Sequence, residues 1–287
     1  MKLLLTDATN PLGEALAHQL ERHTFGLVTP EPGLLDWTDK AELTNWLGSV
    51  GPSLVLNTLG WSPSLTQSQQ ASLPAVTRAL AQACRSPDIP IIHFSSYRVF
   101  DGSPKSGHSE RDQPEPQSDQ GRAWLAAEEA LATGKKRWLV LRLSWILTGR
   151  GPGLLTRFLS AARAGEPVRA NARLRGAPTL LSDVVRVVVA IIQQIDCGAG
   201  NWGLMHYASG QACNQAELAE AVLRVLAGLR PDWELPAVQR DEALPDLEPV
   251  SAVLSCRRLR DGFGIHARDW EPGLKLLTQQ WLHSHSA

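Results

Sequence analysis

Tyrosine is scarce in this chain, with only two among 287 residues. The residues four positions after them are Asp101 and Gln211, so the sequence contains no Tyr-x-x-x-Lys pair. Two side chains at this spacing lie on one face of a helix, where a lysine can stabilise the anion of a phenol. A phenol has a pKa of about 10 and needs such help to donate a proton readily near neutral pH. The scarcity therefore excludes a proton donor built from a tyrosine and a lysine on one helix.

Patterns typical of several other functional classes are also missing. The four cysteines form no Cys-x-x-Cys pair and the eight histidines show no metal-ligand spacing, so we assign no metal site. No Gly-x-Ser-x-Gly elbow supports a hydrolase. The 28 lysines and arginines balance 29 aspartates and glutamates, which gives no electrostatic reason to expect nucleic acid or an anionic membrane as a partner.

Long apolar runs are absent too. The apolar residues at the start of the chain stop at Thr6, well short of the apolar region of a signal peptide. The later run at 184–192 contains Arg186 and is about half the length of a membrane span. We therefore expect a cytoplasmic protein that binds neither nucleic acid nor membrane.

Strands and helices alternate over the first half of the chain. Apolar runs predict buried strands at 2–6, 26–29, 53–57, 90–95 and 138–143, with helices at 12–22, from Asp39 to 47, 73–84 and 120–132. This alternation is typical of an α/β fold with a Rossmann-like, doubly wound parallel sheet.

The pattern becomes irregular after Gly149. Helices are predicted at 154–164, 182–194, 215–226 and 270–282, and the proline-rich stretch 230–249 is predicted as extended surface chain. We therefore predict a nucleotide-binding-type domain at 1–149 plus about 180–205. A smaller, mixed α/β substrate-type domain would comprise 150–179 and 206–287.

Several fragments resemble the dTDP-4-dehydrorhamnose reductase (RmlD-like, sugar-nucleotide-binding) family of extended short-chain dehydrogenases. They lie at 35–39, 55–57, 93–102, 142–145, 176–179, 263–265 and 269–270, in the order of the family and across nearly the whole chain. The resemblance implies a Rossmann domain with a C-terminal substrate domain. It also implies reduction of a keto sugar attached to a nucleotide, with NADPH or NADH as the reductant.

The family's catalytic tyrosine and lysine are both replaced. Gln120 takes the place of the tyrosine and Trp124 that of the lysine. Glu110, Asp112 and Pro116 before this point fix the register, and so do Gly121, Leu125, Ala126 and Glu128 after it. Ser96 matches the family's substrate-binding Ser/Thr, although a serine that ends a strand needs no ligand. An amide does not deliver a proton usefully, and loss of an acid catalyst typically lowers the rate by about 100- to 10,000-fold.

The phosphate loop also departs from the family. The family has a Gly-x-x-Gly-x-x-Gly loop that binds phosphate. In this chain the loop falls on residues 7–13, where only Gly13 of the three glycines remains. Asp7 adds a negative charge and Pro11 removes an amide donor, so we expect no NAD(P) binding or weak, impaired binding. Asp7 and Asn10 can instead cap the helix.

The resemblance also assigns the remaining candidate positions. Vestigial cofactor contacts are implied at Ala8, Thr9, Leu12, Gly13, Asp36 and Asn57, although Asp36 also suits a helix cap. Candidates for the substrate cleft are Ser96, Arg142, Trp145 and Pro178. A tryptophan at a strand end also suits core packing.

We therefore predict a non-catalytic homologue that acts by binding, as a regulatory or scaffolding subunit or a ligand sensor. Such a pseudoenzyme would have a protein partner or form a homo-oligomer, and a nucleotide-type ligand is possible. The alternative is an NAD(P)H-dependent reductase of a nucleotide-linked keto sugar with a rearranged active site. Its acid would be Tyr97, Asp101 or a water relayed by Ser96. A cofactor-sensing transcription regulator would need a DNA-binding element, for which this near-neutral chain offers no candidate.

Overall fold

The centre of the fold is a six-stranded parallel sheet. The computed structural model describes residues 1–61, 66–103, 107–133, 137–243 and 247–285. In chain order the strands are β1 (Lys2–Leu5), β2 (Gly26–Val28), β3 (Leu54–Asn57), β4 (Ile91–Ser96), β5 (Trp138–Leu143), β6 (Ile146–Leu147), β7 (Val168–Asn171), β8 (Arg175–Gly176), β9 (Thr179–Leu180), β10 (Gly203–Tyr207), β11 (Cys213–Asn214), β12 (Val238–Asp241) and β13 (Ser251–Ala252). The large sheet has the order β10-β5-β4-β3-β1-β2, and all its neighbouring strands are parallel.

Helices connect these strands and cover the sheet. In chain order they are α1 (Pro11–Leu20), α2 (Lys40–Val50), α3 (Gln67–Ala83), α4 (Asp119–Ala132), α5 (Leu154–Arg163), α6 (Leu181–Asp196), α7 (Gln215–Leu229), α8 (Arg257–Phe263) and α9 (Glu271–Ser284). The predicted α/β class with a Rossmann-like parallel sheet is confirmed. None of the helices in the described ranges is long and apolar enough to cross a membrane.

Helices pack on both faces of the sheet. Successive side chains of a strand point to opposite faces, so each strand contributes to the apolar cluster on either side. Leu3 and Leu5 of β1 belong to one apolar cluster, together with Leu12 of α1. Leu4 belongs to a second cluster, together with Leu43 of α2. All five are fully buried, and each contributes about 1.5–3 kcal/mol relative to an exposed side chain.

The part of the chain after β5 builds small sheets beside the large one. β6 pairs with β9, β7 pairs with β12, and β8 lies between β11 and β13. The stretch 230–249, predicted as extended surface chain, contains β12, which pairs in parallel with β7. Its partner lies far away in sequence, so local propensity gives little sign of the pairing. The sixth strand of the large sheet, β10, and the helix α8 were likewise not predicted. The domain boundaries stay a prediction.

α3 begins earlier than the predicted residue 73 because a capping box starts it. The Thr66 hydroxyl accepts a hydrogen bond from the Gln69 backbone N–H at 3.3 Å, and Gln69 Oε1 accepts from the Thr66 N–H at 2.9 Å. This reciprocal pair satisfies two donors that would otherwise lack partners at the helix start.

A buried ion pair joins α4 to the sheet. Arg142 of β5 donates to Glu128 of α4 from Nη2 at 2.6 Å and from Nε at 2.9 Å. Ser95 of β4 donates its hydroxyl to the same carboxylate at 2.5 Å. The arginine and glutamate side chains are only 2% and 7% exposed. The pair therefore fixes α4 against the carboxyl ends of β4 and β5.

Replacement of Glu128 by alanine should destabilise the protein, because it leaves the Arg142 charge buried without its partner. We expect a loss of about 3–5 kcal/mol in the free energy of unfolding, measured by urea denaturation. The control is Glu129→Ala, since Glu129 is the exposed next residue of the same helix. That change should stay within about 0.5 kcal/mol of wild type. Equal denaturation midpoints for the two variants would contradict the role of the pair.

Candidate active site

A cavity of about 670 Å³ opens at the carboxyl ends of β4 and β5. One wall comes from the residues that end these strands, among them Ser96, Tyr97 and Trp145. Other lining residues come from the chain after β5 and include Arg157 of α5 and Arg169 of β7. Ligands of open parallel sheets bind at this edge, in the crevice outside the carboxyl ends of the strands. The cavity is therefore the candidate active site.

Tyr97 is a buried phenol in this wall. It begins a short 3₁₀ turn, Tyr97–Val99, directly after β4, and its side chain is 4% exposed. Its hydroxyl donates to Glu248 Oε1 at 2.5 Å. Burial raises the pKa of Tyr97 and the Glu248 carboxylate adds to this, whereas the Arg98 charge and a hydrogen bond from Trp145 act in the opposite sense. The phenol therefore keeps its proton at neutral pH.

Arg98 holds the same carboxylate. Its Nε and Nη2 donate to Glu248 Oε2 at 3.1 and 3.0 Å, and its guanidinium carbon lies 5.2 Å from the centre of the Tyr97 ring. Both charged side chains are 23% exposed, so this pair lies between the buried phenol and solvent. A phenol, a permanent cation and a carboxylate are thus in mutual contact at the cavity wall.

Ser96 caps the turn after β4 and also lines the cavity. Its hydroxyl accepts a hydrogen bond from the Arg98 backbone N–H at 3.3 Å and so caps the turn that carries Tyr97. The same residue is half-buried and lines the cavity. The predicted strand-end role and the predicted cleft position are therefore compatible.

The two replaced positions on α4 differ in their surroundings. Trp124 is 2% exposed and lines the cavity, and within the described ranges its indole N–H has no hydrogen-bond partner. Gln120 is half-buried and does not belong to the cavity wall. Burial lowers the pKa of His93, 6.3 Å from the Trp124 ring, to about 4. This neutral imidazole supplies no cation to replace the family's lysine.

Two of the predicted cleft residues lie outside the cavity wall. Arg142 is committed to Glu128, and Pro178 is buried in the turn between β8 and β9. Trp145 does line the cavity, and Gly176 allows its position, because a Cβ on this glycine would lie 2.4 Å from the indole ring. The strand-end tryptophan is therefore both packed and part of the site.

The turn between β1 and α1 lies where a dinucleotide binds in folds of this type. A Cβ on Gly13 would lie 1.9 Å from the Asp7 carbonyl oxygen, so only glycine lets α1 start this close to the end of β1. The Asp7 carboxylate accepts from the Thr9 N–H at 2.7 Å and from Asn10 Nδ2 at 2.9 Å. Its charge is therefore hydrogen-bonded within the turn. The Gly13 N–H donates to Asn10 Oδ1 at 2.9 Å, so Asn10 caps α1 as predicted. The close approach at Gly13 brings the positive end of the α1 dipole to the end of β1, where it favours a phosphate group.

The other predicted cofactor positions have varied surroundings. Ala8 is half-buried and Thr9 is exposed at the turn, whereas the Leu12 side chain is fully buried in the core. Asn57 donates to His93 at 3.0 Å and accepts from the Leu59 N–H at 3.3 Å, which orders the end of β3. Asp36 is exposed and accepts from the Thr38 hydroxyl and N–H, which lowers its pKa.

Several residues of the cavity wall were missed by sequence reasoning. Glu248 lies 150 residues beyond Arg98, and no local pattern marks it as a partner. Arg157 and Arg169 lie on separate elements and carry no motif. Arg98, in contrast, stands within a fragment that matches the family, and its place beside Tyr97 could have suggested a cation next to a phenol.

Comparison with known proteins identifies relatives of the whole chain. The model of the RmlD substrate binding domain matches residues 1–282. A dTDP-4-dehydrorhamnose reductase of Burkholderia thailandensis is 26% identical, over 98% of this chain and 99% of that protein. The crystal structure of a dTDP-4-dehydrorhamnose reductase from Clostridium acetobutylicum has a TM-score of 0.84 at 22% identity and covers 97% of this chain and 99% of that one. The enzyme of the same name from Bacillus anthracis, in complex with NADP, has a TM-score of 0.83 at 18% identity, over 97% and 98% of the two chains.

These findings correct two of our predictions. The predicted non-catalytic pseudoenzyme is wrong, because relatives that match nearly the whole chain are named as reductases. The predicted lack or impairment of NAD(P) binding is also wrong, since a neighbour with this fold was solved with NADP. The first prediction rested on the replaced residues of α4 together with the lost glycines. The second rested on the lost glycines, although Gly13 keeps α1 against β1. The predicted protein partner or homo-oligomer and the cytoplasmic location stay predictions.

The parallel-sheet fold and the cavity at the carboxyl ends of its strands both fit the family whose model matches the chain. Because the family model extends over nearly the full length, the chain belongs to the RmlD substrate binding domain family.

Proposed function

We propose that the protein is an NAD(P)H-dependent reductase of a keto sugar linked to dTDP, of the dTDP-4-dehydrorhamnose type. The observation that carries this proposal is the cavity of about 670 Å³, whose wall combines Ser96, Tyr97 and three arginines. The names of the relatives support the choice of substrate class. The predicted alternative, with a rearranged active site, thus becomes the main interpretation.

The composition of the cavity suits a sugar nucleotide. Arg157 and Arg169 line the cavity, and guanidinium groups bind phosphate oxygens through paired hydrogen bonds. Trp61 and Trp145 add aromatic surface to the strand-end wall, and such rings pack well against sugar and base faces. A cavity lined by both cationic and aromatic groups suits a ligand that combines a diphosphate with a sugar and a base.

The reaction needs a hydride at the carbonyl carbon and a proton at the carbonyl oxygen. When bound, the reduced nicotinamide cofactor supplies the hydride. We propose that Ala8, Thr9 and the N-terminus of α1, which begins at Pro11, hold its phosphates, because a helix N-terminus favours negative charge. The contacts implied at Asp36 and Asn57 stay predictions. Ser96 lines the cavity and is placed to donate its hydroxyl to the substrate.

Turnover tests the proposal directly. Purified protein should oxidise NADPH or NADH in the presence of a dTDP-linked 4-keto-6-deoxy sugar, with saturation in both compounds. The measurement is the loss of nicotinamide absorbance, with product confirmed by mass spectrometry. If the protein binds both compounds but no reduced sugar forms, the proposed function is wrong.

The variant Gly13→Ala tests the cofactor site separately. The added Cβ would meet the Asp7 carbonyl at 1.9 Å and push α1 away from β1. We expect at least an about tenfold rise in the Kd of NADPH, followed by nicotinamide fluorescence. The control is Gly48→Ala in α2, where an added Cβ has no atom within 4 Å. Equal affinities for the two variants would place the cofactor elsewhere.

A further inference from the structure

The buried phenol beside the cavity has a function that the sequence of α4 does not suggest. Resting on the proposed reductase function, we infer that Tyr97 is the proton donor of the reaction, with Arg98 as the stabilising cation and Glu248 as the link to solvent. The phenol and cation absent from α4 would thus act from the turn that follows β4. Here they are adjacent residues on a turn, not residues four apart on a helix.

The position of Tyr97 satisfies the first requirement of a proton donor. It lines the cavity between Ser96 and Arg98, on the same wall as Trp145. The 3₁₀ turn is fixed from two sides, by the Ser96 cap and by α4. A Cβ on Gly121 of α4 would lie 2.2 Å from the Arg98 carbonyl oxygen, so glycine allows the helix to touch this turn. A phenol on such a turn is held in one place without the ligand.

Burial and Glu248 raise the pKa of Tyr97, so the phenol keeps its proton until the reacting oxygen becomes the stronger base. After the proton leaves, the phenolate faces the Arg98 guanidinium, which stays charged at any working pH. The Tyr97 hydroxyl donates a hydrogen bond to the Glu248 carboxylate at 2.5 Å, and the Glu248 side chain is 23% exposed to solvent. A proton from solvent can therefore reach the buried phenol through this carboxylate.

The other candidate donors either lie outside the cavity wall or are weaker acids than a phenol. Asp101 accepts from the Ser103 N–H and hydroxyl, both at 3.0 Å, and does not line the cavity. Gln120 also stands outside the wall, and the Trp124 indole does not ionise in the working range. Ser96 has a hydroxyl far less acidic than a phenol. Tyr97 therefore combines a proton retained at neutral pH with a permanent cation beside its ring.

The step balances without a further reactant. The carbonyl carbon gains a hydride from the reduced nicotinamide, and the electron pair of the C=O π bond moves to oxygen. The Tyr97 O–H bond breaks as a new O–H bond forms on that oxygen, which yields the alcohol, the oxidised nicotinamide and the phenolate. The phenolate then takes one proton from solvent through Glu248.

The first test compares Tyr97→Phe with Tyr207→Phe, which changes the chain's only other tyrosine. Tyr207 of β10 donates its hydroxyl to Asp183 of α6 and lies outside the cavity wall. We expect Tyr97→Phe to lower kcat by about 100- to 10,000-fold with the Kd of NADPH unchanged, whereas Tyr207→Phe keeps a kcat close to that of wild type. Circular dichroism and thermal melts confirm that both variants fold.

The second test separates proton donation from a structural role. Glu248 raises the pKa of Tyr97, so Glu248→Gln should lower that pKa towards the working range. The charged groups acting on the phenol are Arg98, on its own turn, and Glu248, from the segment before β13. Because reduction needs the protonated phenol, kcat of the wild type should stay level at alkaline pH, whereas an alkaline fall should appear in Glu248→Gln. A Glu248→Gln profile as level as that of wild type would overturn the assignment.

A spectroscopic measurement gives a readout independent of turnover. Protein labelled with carbon-13 at tyrosine Cζ should give two resonances, assigned by the two phenylalanine variants. Addition of a dTDP-linked 6-deoxy sugar should shift the Tyr97 resonance and leave that of Tyr207 in place. An unshifted Tyr97 resonance at saturating sugar nucleotide would overturn the inference.

The two proposals fail in distinguishable ways. Turnover that survives Tyr97→Phe at the wild-type rate overturns the role of Tyr97 and leaves the reductase function intact. Absence of turnover in the wild-type protein, with every keto sugar and either cofactor, overturns both.

Discussion

The contact of Tyr97 and Arg98 with Glu248 defines the site, because it joins two parts of the chain that are distant in sequence at the cavity wall. One carboxylate receives the phenol at 2.5 Å and the guanidinium at 3.0 Å, so each side chain restricts the position of the other two. The turn after β4 is thereby tied to the segment before β13. The cavity wall and its candidate chemistry depend on the same three side chains.

The packing of α4 fixes the position of the turn that carries Tyr97 and Arg98. Glu128 fastens α4 to Arg142 and Ser95, and Gly121 brings the start of α4 against the Arg98 carbonyl. The helix that carries catalytic residues in the family here supplies packing, with Trp124 forming part of the cavity wall. Loss of chemistry at one position on a scaffold is thus compatible with chemistry at a neighbouring position on the same sheet edge.

Sequence reasoning captured what depends on local pattern. The buried strands and amphipathic helices of the first half, the Rossmann-like class and the family followed from periodicity and matched fragments. β12 and Glu248 could not be predicted, because their partners, β7 and the Tyr97–Arg98 turn, are distant in sequence. The prediction of an inactive protein failed for the same reason. That prediction considered only α4 and the loop at 7–13. The cavity wall is instead assembled from strand ends and a segment about 150 residues away.

The most direct test of the account is a crystal structure with NADP and a dTDP-linked 6-deoxy sugar product. The account predicts that the hydroxyl formed by reduction lies about 2.6–3.2 Å from the Tyr97 hydroxyl, next to the nicotinamide. A product hydroxyl that faces Gln120, or any group other than Tyr97, would contradict it.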